Sequence, residues 1–249
     1  MRTGIIGAMK EEILFLKEEF SEYQSVTVGC RTFYHGKIGE EEVVMAFSGW
    51  GKVAAASTAT SLMNLFDVDR IVFIGLAGAL QKHLKIGDIV VGSKLIQYDV
   101  DLSTLNFPDV SPPFWKNFEF EISHNYVDIA EKAVSRFSQN LKAGLYHDLP
   151  TTYQPDIYIG EIGTGDRFVS SLESKDFITD RYPEILCTEM EGAAIAQVAA
   201  DYKLPFVIIR IISDQANDEA AQTFTSFLFH NIGRISVEMI KILLLDTTE

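Results

Sequence analysis

Two rhythms of apolar and polar positions run along this chain. Short, unbroken apolar runs recur at 3–8 (TGIIGA), 70–80 (RIVFIGLAGAL), 156–168 (DIYIGEIGTGDRF) and 204–214 (LPFVIIRIISD), and another, Ile185-Leu186-Cys187, leads into CTEMEGAA at 187–194. Runs of this length without polar interruption predict strands buried on both faces. Between them, apolar residues fall at helical spacing. Residues 9–20 predict a helix with Ile13, Leu14, Leu16 and Phe20 turned inward, and 51–66 (GKVAAASTATSLMNLF) predicts a helix of small residues. Further helices are predicted over 124–139, over the alanine-rich run after CTEMEGAA, and over 226–245, a long closing helix. Residues 25–48 alternate in two segments, with Gly36 and Gly39 between them, which predicts antiparallel strands and a turn. The runs at 70–80 and 156–168 predict strands entering glycine-rich turns, and 86–101 a strand pair or one long strand.

Strands alternating with helices define an α/β chain. The expected architecture is a three-layer αβα sandwich with a central mixed sheet. No linker, repeat or low-complexity segment interrupts it, so residues 1–249 read as a single domain. One stretch stands apart. Residues 102–120 carry three prolines and the aromatics Phe107, Phe114, Trp115, Phe118 and Phe120, which predicts a long apolar loop.

Composition narrows the functions. Apolar residues make up 47% of the chain, enough for a full core, yet no window of about 18 uninterrupted apolar residues predicts a membrane span. A net charge of −14 opposes binding to nucleic-acid phosphates. The start, MRTGIIGAMKEEI, reads as a strand turning into a helix rather than a signal peptide, which points to the cytoplasm. Cys30 and Cys187 read as separate buried, reduced thiols. The five histidines are scattered, so neither a metal nor a cofactor is expected. The sequence contains no GxxxxGK[ST] or GxSxG, and GLAGAL and GTGDRF do not fit GxGxxG.

Polar chemistry collects at strand ends. In α/β sheets, ligands bind beyond the carboxyl ends of the strands. The first strand leads to Glu11 and Glu12, the 156–168 run to Asp166, the next to Glu189 and Glu191, and the last to Ser213 and Asp214. Asp166 reads as a turn residue. By position alone the glutamates read as helix-start acids, which the helix dipole favours by about 0.3–1 kcal/mol. Phe168 and Phe224 alone read as core. Several carboxylates at one rim suit a neutral, cationic or hydroxyl-rich ligand rather than a phosphate. Carboxylates in unlike surroundings split into acid and base roles, and cleavage of a glycosidic bond uses such a set.

The motifs TGIIGAMKEE (3–12), SGWGKVAAA (48–56), LKIGDIVV (84–91), TGDRF (164–168), TEMEGAAIAQV (188–198) and PFVIIRIISD (205–214) resemble, in order, those of the bacterial 5′-methylthioadenosine/S-adenosylhomocysteine nucleosidases of the nucleoside phosphorylase superfamily. The resemblance implies roles. Glu12 would activate the attacking water, and Asp214 would protonate N7 of adenine. Glu191 would bind the ribose hydroxyls, with Met190 beneath the sugar. Phe168 would stack on the base, and the Val169 backbone would read its amino edge. Ser213 and Arg210 would support Asp214 and the water region. Met9, Trp50 and Phe224 would line the 5′ end, and Ala77 and Gly78 complete the substrate-binding set. Glu189 reads as structural.

Departures from the pattern bear on these roles. Leu76 stands where a serine or threonine usually lies near the water, which counts against phosphorolysis. Trp50 replaces a small aliphatic residue. Its side chain either turns into the core or a subunit contact, or it faces the pocket and favours short apolar 5′ groups. The family pairs as homodimers in which a loop of one subunit covers the other's pocket, and the apolar 102–120 loop fits that arrangement. A related enzyme acting on another purine nucleoside (aminofutalosine, AMP), a phosphorylase, and a non-catalytic nucleoside-binding protein are the alternatives. Retention of Glu12, Glu191 and Asp214 argues against the last.

Overall fold

The computed structural model of the chain describes residues 1–101, 118–149, 152–230 and 232–246. Its first apolar run forms β1 (Arg2–Gly7), which lies parallel between β4 (Glu41–Phe47) and β5 (Arg70–Ala79). Beyond β4 come β3 (Arg31–Ile38) and, at the sheet margin, β2 (Tyr23–Val28), both antiparallel. Only the second of their two turns was legible in the sequence. The β2–β3 turn is made at Gly29, whose φ of +60° is a conformation that side chains other than glycine rarely adopt. Gly36 lies inside β3 instead. Cys30, expected to be buried, follows that turn and is exposed, while Cys187 is buried; both are free thiols.

The other half of the sheet holds β6 (Ile89–Gln97), β8 (Ile157–Thr164), β9 (Ile185–Glu189) and β10 (Phe206–Asp214), with the short β7 (Glu119–Glu121) paired to β6. The 86–101 stretch is thus one strand. The sheet order β10-β6-β8-β9-β5-β1-β4-β3-β2 carries an extra pairing, β10 with β5, so five strands close into a ring: β10-β6-β8-β9-β5. The expected glycine turn after residue 75 is absent because β5 runs on through Ala79 to close it. Every residue of β5 and β10 is buried. Fully burying one such valine or isoleucine contributes about 1.5–3 kcal/mol.

Helices cover both faces of this mixed sheet. On one side α1 (Lys10–Lys17), α3 (His124–Lys142) and α7 (Ile232–Asp246) pack together; on the other, α2 (Lys52–Phe66) packs on α5 (Gly192–Asp201). In α1, Ile13 and Leu16 point inward and Phe20 is buried just beyond, but Leu14 is 58% exposed. Leu14 is one residue from Ile13 and two from Leu16, so it cannot share their helix face. The single closing helix is two, α6 (Ala220–His230) and α7; α6 packs on β10, whereas α7 packs on α1 and α3. No apolar period marks α4 (Leu172–Arg181), which buries only Ile178 and starts at Ser171, whose hydroxyl accepts from the Ser174 N–H. Residues 102–117 of the aromatic loop lie outside the described residues. Among the described residues no helix is long and apolar enough to cross a membrane.

Candidate active site

Ring closure brings the ends of β5, β9 and β10 together, and the turns after β1, β4 and β8 meet them. The result is a cavity of about 250 Å³ walled by Ala8 and Met9, Trp50, Leu76 to Gly78, Phe168, Thr188 to Glu191, Ser213 and Asp214, and Phe224. Ten of the thirteen predicted site residues line it: Met9, Trp50, Ala77, Gly78, Phe168, Met190, Glu191, Ser213, Asp214 and Phe224. Glu12, Val169 and Arg210 stand behind its wall.

Asp214 ends β10 beside Gly78. A Cβ at Gly78 would come within 2.7 Å of Asp214 Oδ1, so glycine is what lets the carboxylate sit there. The carboxylate is 2% exposed; Oδ2 accepts from the Ser213 hydroxyl at 2.8 Å and Oδ1 from the Ala216 N–H at 2.9 Å. Burial pushes its pKa above the ordinary aspartate value, against the opposing pull of those two donors and of the Lys175 charge. Lys175, from α4, ties the loop down by donating to the Ala79 and Gln215 carbonyls, both at 2.8 Å. Ser213→Ala is expected to raise the Asp214 pKa further, because the lost hydrogen bond favours the ionised form. The alkaline limb of the pH–rate profile should move to higher pH. A limb that stays put or moves down would remove Ser213 from this role.

Glu191 is the N-cap residue of α5 and is 5% exposed. Its Oε1 accepts from the Gly51 N–H at 2.7 Å, which ties the β9 end to the start of α2. Burial, then the neighbouring Glu189 charge, raises its pKa. Asp166 lies in the bend after β8 and accepts from the Lys52 N–H at 2.7 Å, so it fastens the same α2 terminus.

Glu189 is the hub beneath. Its Oε2 accepts from the Glu191 and Gly192 N–H groups at 3.1 and 2.7 Å and from Arg210 Nη2 at 2.5 Å, and its Oε1 accepts from the Thr164 hydroxyl. Ser213 and Arg210 were expected to support Asp214 and the water region, and the Arg210 charge does act on Glu12. The ion-pair partner of Arg210 is Glu189 rather than Asp214, because Arg210 lies at mid-strand opposite Gly75, where its guanidinium sits 3.9 Å from the Phe73 ring centroid and spans towards β9. Both partners are dehydrated, a costly arrangement unless fully hydrogen-bonded.

Glu12, 2% exposed, sits in the first turn of α1 and accepts from the Met9 N–H at 2.9 Å through Oε2. Its Oε1 is buried without a hydrogen-bond partner. Burial dominates and raises its pKa from 4.5 to about 8, against smaller lowering effects that include the Met9 N–H and the Arg210 charge. Arg210 Nε and Thr188 Oγ1 likewise lack a hydrogen-bond partner in the same site, and a buried unsatisfied polar atom costs about 1–3 kcal/mol.

Phe168 and Phe224 meet edge to face, 5.7 Å between centroids, and give the cavity an aromatic wall. The Val169 side chain is turned away, buried among Tyr98, Ile178 and Ile185. Trp50 lies neither in the core nor across the cavity. It lines the rim, 70% exposed, with its indole edge-on to Phe47 at 6.4 Å. Sequence reasoning did not pick out Ala8 or Thr188 as lining residues. Thr188 directly precedes the two glutamates, and its place at the end of an otherwise apolar strand was the available signal.

Comparison with known proteins gives this geometry its family. The phosphorylase superfamily profile matches residues 2–249. A 5′-methylthioadenosine/S-adenosylhomocysteine nucleosidase from Staphylococcus carnosus is 35% identical over 96% of this chain and 98% of its own length. The crystal structure of the nucleosidase of the same name from Neisseria meningitidis, in complex with methylthio-immucillin-A, superposes with a TM-score of 0.85 at 32% identity, covering 98% of each chain. Futalosine hydrolase of Helicobacter pylori superposes with a TM-score of 0.82 at 31% identity, covering 99% of this chain and 98% of its own. The chain therefore belongs to the phosphorylase superfamily and, within it, to the family of the 5′-methylthioadenosine/S-adenosylhomocysteine nucleosidases.

Proposed function

We propose that the chain is a purine nucleosidase that hydrolyses the N-glycosidic bond of 5′-methylthioadenosine and/or S-adenosylhomocysteine, releasing adenine. The observation that carries this reading is one cavity lined by three buried carboxylates, of which Glu189 is paired with Arg210 while Asp214 and Glu191 stand in unlike surroundings against an aromatic wall. As the C1′–N9 bond breaks, its electron pair leaves on the purine and positive charge grows on the ribose ring. Asp214, its proton held more tightly by burial, gives that proton to N7; a positioned general acid supplies roughly 10²–10⁴-fold. Glu191 accepts hydrogen bonds from the ribose hydroxyls, and its charge favours the cationic ring. Glu12, ionised, takes a proton from the water whose oxygen bonds to C1′. Phe168 stacks on the base, the Val169 backbone reads its amino edge, and Met190 packs under the sugar. Met9, Trp50 and Phe224 take the 5′ group. Leu76, Ala77 and Gly78 offer the nucleophile's side no charged side chain, which favours water over phosphate. Arg210, through Glu189, positions Glu191.

Adenine release from methylthioadenosine, measured with and without phosphate, tests the reading. Hydrolysis gives equal rates in both; a strict phosphate requirement points to a phosphorylase, and no release to a binding protein. Aminofutalosine belongs in the same assay, because a futalosine hydrolase shares the fold so closely. The reading includes a cytoplasmic symmetric homodimer, supported by the two free thiols and by the apolar composition of the 102–120 loop. Light scattering at micromolar concentration should report twice the 27.8 kDa chain mass; a monomer refutes the dimer.

A further inference from the structure

A second, larger cavity of about 440 Å³ opens beside the first, between the start of α1, the β2–β3 hairpin and the start of α2. The two share a partition. Met9 and Trp50 face the first cavity, and their chain neighbours Lys10 and Gly49 face the second. Phe47 lines the second cavity and stands edge-on to Trp50.

The chemistry of this groove differs from that of its neighbour. In a chain of net charge −14 its lining among the described residues holds two cations, Lys10 and Arg31, and no carboxylate. Among the described residues, the hydrogen-bond partners of the Arg31 guanidinium are all uncharged: the Thr58 hydroxyl at 2.6 Å, the Ala54 carbonyl at 3.3 Å and Cys30 Sγ at 3.8 Å. Those bonds hold the guanidinium in place while leaving its charge unneutralised. The Lys10 ammonium stands 6.0 Å from the Phe47 ring centroid, on the partition itself. Two cations of this kind, one fixed and one on a flexible stem, suit a carboxylate. The aromatic partition suits the apolar stem leading to it.

We infer that this groove is a subsite for the carboxylate end of a long 5′ substituent, with Lys10 and Arg31 determining specificity for acidic over neutral tails. The inference rests on the nucleosidase reading, which places the 5′ group against Met9 and Trp50. The substrate enters the first cavity with its adenine and ribose, the tail passes the Trp50 rim, and its carboxylate meets Lys10 and Arg31.

The test compares two 5′-thioethers of adenosine that differ by one charge, a 3-carboxypropylthio compound and its primary amide, with methylthioadenosine as reference. Wild type should favour the carboxylate over the amide by about 10-fold or more in kcat/KM, the scale of a charge-assisted contact. The preference should shrink as salt is raised. Lys10→Gln combined with Arg31→Gln should abolish it, and Arg31→Lys should restore part of it, while methylthioadenosine turnover stays within about 2-fold throughout. Arg31 also fastens the hairpin to α2, so Lys10→Gln alone, at an exposed position, is measured as well and should weaken the preference without changing the melting temperature. Equal use of carboxylate and amide by a wild type that hydrolyses methylthioadenosine overturns this inference and leaves the nucleosidase reading standing. A wild type inactive on methylthioadenosine overturns both.

Discussion

Asp214→Asn should reduce adenine release at least about 10²-fold while a ground-state analogue still binds. The substitution preserves shape and still accepts the Ala216 N–H, but an amide has no proton to give N7. The loss should fall on kcat, since the acid acts as charge develops on the purine and not before. Substrates whose leaving group needs no protonation should be spared most of it. Turnover near wild type on methylthioadenosine would remove Asp214 from the mechanism, and a loss confined to KM would make it a binding group.

Glu12→Gln should lose activity and gain stability, and the gain should depend on pH. Activity falls because an amide cannot take a proton from water; a loss of about 10²-fold or more is expected. The stability effect follows from the buried carboxyl, whose pKa rises from 4.5 to about 8 on folding. Between those values the native chain binds more protons than the unfolded chain, so stability declines as pH rises through that window. Below 4.5 both states are protonated and nothing is lost; above about 8 the full cost has been reached. Glutamine keeps an acceptor for the Met9 N–H and carries no charge, so it escapes the decline. The melting temperature of the variant should exceed that of wild type by several degrees at pH 8, each kcal/mol being worth about 2–4 °C at this chain length. The difference should be small at pH 4.5. An equal difference at both pH values would mean that charge burial is not its source. The same group sets the acid limb of kcat/KM, which should climb until about pH 8 as Glu12 ionises.

The legible parts of the molecule were those that a strand or helix states locally. Strands such as β5 and β10 are buried on both faces, so their apolar runs are unbroken and the polar residues at their ends stand out. That is why a set of acids at the strand ends, Asp214, Glu189 and Glu191 among them, could be singled out, although the choice of Glu191 and Asp214 from that set came from the family resemblance. Ring closure was not legible, because pairing of β10 with β5 joins segments well over a hundred residues apart and leaves no local mark. The partnership of Arg210 was lost with it: an arginine in an apolar strand announces a buried charge but not which acid will meet it. Turn chemistry explains two smaller misses. The Gly29 turn hid inside what read as one segment, and Cys30 was taken for a core residue. The Lys10 and Arg31 groove draws on the first helix, a hairpin tip and a later helix, and no motif links them.

The ring of five strands also separates what selection can change. Asp214 ends β10, Glu189 ends β9, with Glu191 just beyond it, and Gly78 lies near the end of β5, so their spacing is fixed by one closed circuit of backbone pairing. Altering that spacing means breaking the circuit. Trp50, Lys10 and Arg31 sit outside it, on a turn, a helix start and the first residue of β3, none of which holds a ring strand in register. Substitutions at these rim positions can therefore alter the lining of the cavity mouth while the carboxylates of the ring stay where they are. A frame of this kind separates the tolerance of the rim to substitution from that of the carboxylate cluster.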